Sequence, residues 1–166
     1  MGIVLDPLRK NFKLPYGAGL ELETAKKMLE AGVKKAKQLG VSPVFAIVDA
    51  GGNLIAFNRM DNAPLFSIQV AIDKAFTAAL GKLPTENWGT LFKKENFFPL
   101  FVHERWVTFG GGFPIISNGI ILGGCGVAGG TGAGDIYAAK AMLQAGDFSL
   151  DDVDAAISRI EGVEEK

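Results

Sequence analysis

At 166 residues the chain is long enough for a single domain that buries roughly 70% of its extended surface, so no disulfide or metal staple is required. Its 17 basic and 18 acidic side chains leave a net charge of −1, which gives no overall attraction to nucleic acid or to an anionic membrane. A single cysteine, Cys125, and a single histidine, His103, exclude an internal disulfide and any metal centre built from several residues of either type.

Residues 1–19 read as an arm, because Pro7 and Pro15 discourage regular structure. The opening MGIVLDPLRKNFK has neither the apolar core nor the cleavage pattern of a secretory signal, so a cytoplasmic chain is expected. From Leu20 to Leu39, apolar residues at 22, 25, 28, 29, 33, 36 and 39 draw one face of a helix that Gly40 ends. Val44 to Val48 is a continuous apolar run suited to a strand covered on both faces. Asp49 to Asn53 is a turn, and Leu54 to Met60 is the antiparallel partner strand. Arg59, Asp61 and Asn62 gather polar groups at a strand end, where binding sites are commonly built; a solvated turn with an exposed Arg–Asp pair has the same signature.

Pro64 opens a helix predicted to reach about Leu80, with Ile68, Ile72, Phe76 and Leu80 on one edge and Ala71, Ala75 and Ala79 on the next. So apolar a helix is a core helix or an oligomer contact. The composition is 48% hydrophobic with a mean hydropathy of +0.23, yet no apolar run is as long as a membrane span. The surplus is therefore expected between copies of a homo-oligomer, a dimer or larger. Small residues around Lys74 would let its ammonium reach a pocket, although a structural salt bridge is the commoner fate of such a lysine.

Between Lys82 and Phe109, aromatic residues including Trp88, Phe92, Phe97, Phe98, Phe101 and Trp106 alternate with Lys93, Lys94, His103 and Arg105. Periodicity is poor here, and a short helix near Thr85 to Phe92, a loop, and a strand at Arg105 to Phe109 are expected. These rings could wall an apolar pocket with bases at its rim, or be core beneath a basic surface. Gly110 to Leu143 then holds 11 of the 22 glycines, which leaves a backbone with few side chains. Asn118-Gly119 joins Phe113–Ser117 to Ile120–Val127 as a hairpin, Thr131 or Asp135 caps a helix, and Ser149 caps a tail helix from Leu150 to Ile160. Gly124, Gly126 and Gly129 spell G-x-G-x-x-G. A dinucleotide fold, however, needs a parallel sheet with βαβ units after that loop, and here a hairpin precedes it. Close helix-on-sheet packing and an anion site at the helix N-terminus are the readings left.

Four patterns together resemble the GlcG/HbpS family, which includes the C-terminal domain of PduO-type proteins. They are Val-Asp-Ala-Gly-Gly-Asn-Leu (48–54), Arg-Met-Asp-Asn-Ala (59–63), Lys-Ala-Phe-Thr-Ala-Ala (74–79), and Gly-Gly-Phe-Pro-Ile (111–115) followed by Gly-Cys-Gly-Val-Ala-Gly and Asp135. The resemblance covers about residues 20–145. It implies an α/β (α+β) chain with a profilin-like three-layer α/β/α fold, one antiparallel sheet of about five strands, and homo-oligomeric assembly. The chain then divides into the arm (1–19), the family domain (20–146), and a C-terminal helix and tail (147–166).

What the resemblance implies about function is small-molecule binding, of haem in some relatives, as an accessory to small-molecule catabolism. The ligand-binding residues expected here are Arg59, Asp61, Lys74, Gly111, Gly112, Pro114, Gly126 and Asp135, with His103 and Arg105 from the aromatic connector. Arg59, Lys74 and Arg105 would neutralise ligand carboxylates, and Gly111, Gly112 and Gly126 would admit close approach. The first helix lacks the histidine expected of a PduO-type domain. A haem iron would therefore find His103 as the only imidazole, with Met60 and Cys125 as softer ligands. Two further readings stand beside binding. One is an enzyme or accessory acting on a small hydroxy acid, diol or aldehyde, with Lys74 or His103 as acid/base and glycine amides holding an oxyanion. The other is an oligomeric scaffold for a pathway enzyme.

Overall fold

The structure is a computed structural model that describes residues 19–95 and 103–161. The expected arm lies outside the described residues, as do Phe97, Phe98 and Phe101. In order, the elements are α1 (Leu22–Leu39), β1 (Val44–Asp49), β2 (Leu54–Arg59), α2 (Ser67–Gly81), α3 (Thr85–Glu95), β3 (Gly112–Ser117), β4 (Ile120–Ala128), α4 (Gly132–Ala145) and α5 (Leu150–Glu161). The four strands form one antiparallel sheet in the order β2-β1-β4-β3. About five strands were expected; four are present among the described residues.

Alternation along β1 divides the core. Phe45 and Ile47 face a cluster with Met28 and Leu29 of α1, Ala139 and Met142 of α4, and Val153 of α5. Val44, Ala46 and Val48 face Ala71, Ala75 and Ala79 of α2 on the opposite side. Every β1 residue from Val44 to Val48 is fully buried, as a strand sandwiched between helical layers must be. The three layers are thus α1, α4 and α5, then the sheet, then α2 with α3.

The alanine edge of α2 lies unusually close to the sheet because β4 offers it no side chains. A β-carbon on Gly124 would collide with the Ala75 carbonyl, and one on Gly126 with the Ala71 carbonyl. These two glycines are strand residues pressed against a helix, not a phosphate loop. Of the two capping candidates, Thr131 is the N-cap of α4: its Oγ1 accepts a hydrogen bond from the Gly134 amide at 3.0 Å.

The segment Arg105–Phe109 is not a strand. Its backbone groups are taken by side chains of the neighbouring helices instead of a sheet edge. Thr77 Oγ1 accepts from the Val107 amide at 2.9 Å and donates to the Arg105 carbonyl at 3.3 Å. Thr85 Oγ1 donates to the Phe109 carbonyl at 2.8 Å and accepts from the Gly112 amide at 3.1 Å. Two buried threonines therefore hang the connector on the outer helical layer.

Candidate functional site

The residues expected to bind a ligand fall in three places. The first is where the layers meet at the end of the sheet. Lys74 projects from α2 past the bare backbone of Gly111 and Gly126, and its Nζ donates to the Val127 carbonyl at 2.7 Å and to Asp135 Oδ2 of α4 at 3.0 Å. Asp135 Oδ1 accepts from the Gly130 amide at 2.9 Å. Gly111 has φ +114°, and a β-carbon there would sit 2.9 Å from the Lys74 ammonium, so the passage exists only because this position is glycine. The side chains of Lys74 and Asp135 are 1% and 7% exposed. Burial lowers the Lys74 pKa, and the charge and hydrogen bond of Asp135 oppose that shift without cancelling it. The Phe109 ring covers the ammonium at 4.8 Å. Gly112 abuts the Lys74 carbonyl, and Pro114 is buried in β3, paired with Gly124. The sheet edge spares this proline a missing ladder bond.

The second place is the outer side of α2. The Arg105 guanidinium lies 3.9 Å from the centroid of the Phe76 ring and its Nε donates to Asp73 at 2.7 Å. His103 stacks on the same ring at 4.9 Å, and its Nδ1 accepts from the Arg105 amide at 3.2 Å. A neutral imidazole whose Nδ1 accepts carries its proton on Nε2. His103 therefore offers the solvent a donor, not a lone pair. The described connector rings pack on one another, Trp88 lying 5.5 Å from Phe92 and 5.2 Å from Trp106.

The third place is an open cleft between α1 and β2, the strand at the sheet's edge. It comprises two adjoining cavities of about 510 and 490 Å3 that share Val33, Lys37 and Asn58. One continues along α1 to Glu30, Lys34 and Gln38; the other runs to Ser42, Arg59, Met60, Asp61 and Asn62. On α1 the lining positions 30, 33, 34, 37 and 38 form one stripe at helical spacing. Met60 packs against the main core on one side and lines the cleft on the other. Lys34, Lys37 and Arg59 have no ion-pair partner among the described residues, although Glu30 and Asp61 line the same cavities. The lining is mixed: Val33 and Met60 are apolar, Lys34, Lys37 and Arg59 are cationic, and Glu30 and Asp61 are anionic.

The fold thus brings Lys74, Asp135, Gly111 and Gly126 together, places Arg59 and Asp61 in the cleft, and sets His103 and Arg105 apart from both. Reasoning from sequence did not single out Val33, Lys37 or Asn58. Val33 stood on the apolar face of α1 and Lys37 beside that face, but nothing in the chain tells which strand the two meet. Among the described residues no group of three or more His, Cys, Asp or Glu is arranged to hold a metal ion, and no helix is long and apolar enough to cross a membrane.

The layering defines a profilin-like α/β/α protein. A family model described as haem-degrading protein, HbpS-like, matches residues 20–144, and the chain belongs to that family, the GlcG/HbpS family. It is 37% identical over 129 residues to an uncharacterised 15.0 kDa protein of the dhaT-dhaS intergenic region of Citrobacter freundii, covering 76% of this chain and 91% of that one. It is 35% identical over 121 residues to the corrinoid adenosyltransferase PduO of Salmonella typhimurium, covering 71% of this chain and 36% of that protein. Its structure is similar to that of a PduOC:haem complex, with a TM-score of 0.71 and 32% identity over 77% of this chain and 95% of the other.

Proposed function

We propose that this chain is a small-molecule-binding protein whose ligand is haem or a related tetrapyrrole, acting as an accessory to small-molecule catabolism. The observation that carries the reading is the shared fold and 32% identity with a domain solved in complex with haem. The name of the Salmonella relative, a corrinoid adenosyltransferase, supports an accessory role beside cofactor chemistry. Homo-oligomeric assembly belongs to the same proposal, and Leu65 and Phe66, each 72% exposed before α2, are apolar surface for it.

The donor atoms discriminate among the places described above. Cys125 is fully buried and burial pushes its thiol up to about 12, so it supplies neither access nor thiolate. His103 would have to move its proton from Nε2 to Nδ1, giving up the Arg105 amide, before binding iron. Met60 needs no proton change and lines an open cleft beside Arg59 and Lys37. At this cleft Val33 and Met60 would meet the macrocycle and Lys37 and Arg59 its carboxylates, beside the carboxylates of Glu30 and Asp61. Any redox chemistry would come from the iron, while the protein supplies the seat.

An acid/base role for Lys74 has less support, because its ammonium is enclosed by Val127, Asp135, Gly111 and Phe109. The test is titration of ferric haem into the purified full-length protein, followed at the Soret band. A saturable shift at a fixed ratio of haem to chain is expected; a spectrum equal to that of haem in buffer throughout would overturn the proposal.

A further inference from the structure

We infer that Lys74 is a covalent binding site for small aldehydes and ketones, which its amine takes up as an imine when the Phe109 ring turns aside. This is independent of the tetrapyrrole reading, since it concerns other residues and other ligands.

The walls around the ammonium are unequal. Val127 supplies a carbonyl, Asp135 a carboxylate and Gly111 its backbone, and all three residues are buried. The remaining wall is the Phe109 ring, 4.8 Å away and part of a residue that is 58% exposed. A single side chain, itself largely in solvent, therefore closes the site. The backbone that carries this ring is fixed on both sides. Thr85 Oγ1 donates to the Phe109 carbonyl and accepts from the Gly112 amide, while the Gly111 carbonyl accepts from the Val127 amide at 2.9 Å. Rotation about the ring's own side-chain bonds, a fast motion for an exposed residue, is thus enough to uncover Lys74.

Hydrogen bonding sets the direction of attack. Lys74 Nζ has two acceptors among the described residues, the Val127 carbonyl and Asp135 Oδ2, which leaves its third position to the ring it faces. A neutral amine keeps both bonds with its two N–H groups, so its lone pair takes that third position, where an entering carbonyl carbon would replace the ring. Burial holds the Lys74 pKa below its ordinary value and so enlarges the share of neutral, nucleophilic amine. Asp135 Oδ2, 3.0 Å from Nζ, is placed to carry protons. In the step itself the Nζ–C bond forms as the carbonyl π bond breaks. The two amine protons pass in turn, by way of Asp135, to the carbonyl oxygen, which leaves as water; one C=N bond has replaced one C=O bond, with no oxidant or reductant. The space vacated by one phenyl ring restricts the ligand to a small carbonyl compound.

The experiment treats the full-length protein with propionaldehyde and sodium cyanoborohydride at neutral pH, which fixes an imine as a propylamine, and follows each lysine by peptide mass spectrometry. Lys74 should be alkylated several-fold faster than Lys34 and Lys82, which are exposed. Phe109→Ala, which removes a largely exposed ring and spares the core, should raise the rate at Lys74 several-fold further and leave Lys34 and Lys82 unchanged. Alkylation of Lys34 and Lys82 with Lys74 left unmodified in the wild-type protein would overturn the inference. Equal rates at Lys74 with and without the Phe109 ring would overturn it as well. None of these outcomes bears on haem binding, which the Soret titration decides separately.

Discussion

Lys74 is the residue whose environment departs furthest from that of an ordinary side chain of its type. A lysine 1% exposed is tolerable only because Asp135 and the Val127 carbonyl meet its ammonium. Removing one partner leaves the other charge buried and alone, so Asp135→Ala should cost about 3–5 kcal/mol in urea denaturation. Lys74→Met, which keeps volume and discards charge, should cost less than Lys74→Ala. The pH dependence has a definite sign. The folded pKa of Lys74 lies below its ordinary value of 10.5, so between the two the unfolded chain binds more protons than the native one. Its contribution to stability therefore rises with pH across that window and is level on either side. Urea titrations of wild type and Lys74→Met should show their difference moving in favour of wild type as pH climbs towards 10.5; the opposite movement would place the folded pKa above the ordinary one. The sequence showed that the neighbours of Lys74 were small, which is why its amine travels. It could not show the destination, since the carboxylate stands 61 residues away on the opposite helical layer.

Among elements, the contact between α2 and β4 decides how the layers stack. Periodicity located α2 and its alanine edge, and the hairpin, because each is set by neighbours within a few residues. The same glycines that spelled a nucleotide-loop pattern are the complement of that edge, with Gly124 and Gly126 under the carbonyls of Ala75 and Ala71. Gly126→Ala should accordingly destabilise the fold by about 1–3 kcal/mol or more, as overpacking against backbone does, with a lowered melting temperature as the readout. An unchanged melting temperature would mean that α2 can ride further from the sheet than its packing indicates. The connector was legible only in part. Periodicity is poor there: the short helix expected near Thr85 to Phe92 runs Thr85–Glu95, whereas Arg105–Phe109, apolar enough for a strand, is held by Thr77 and Thr85 through side-chain hydrogen bonds that leave no periodic trace.

For the whole molecule, the order of elements and four short patterns were enough to place the chain in its family, and the resemblance implied the three layers, with Val44–Val48 alone legible as a strand covered on both faces. The candidate site was less legible. Arg59 and Asp61 were recognisable as polar groups at a strand end, but their partners Val33 and Lys37 come from α1, and only the fold brings that stripe to the β2 edge. The central claim is that this cleft, and not the surface around His103, is the ligand's seat. Amide chemical shifts of 15N-labelled protein on addition of metal-free protoporphyrin, which is diamagnetic, test it most directly. Saturable changes concentrated at Val33–Gln38 and Asn58–Asn62 are predicted. Changes confined to His103–Phe109, with the cleft amides unmoved at saturation, would contradict it.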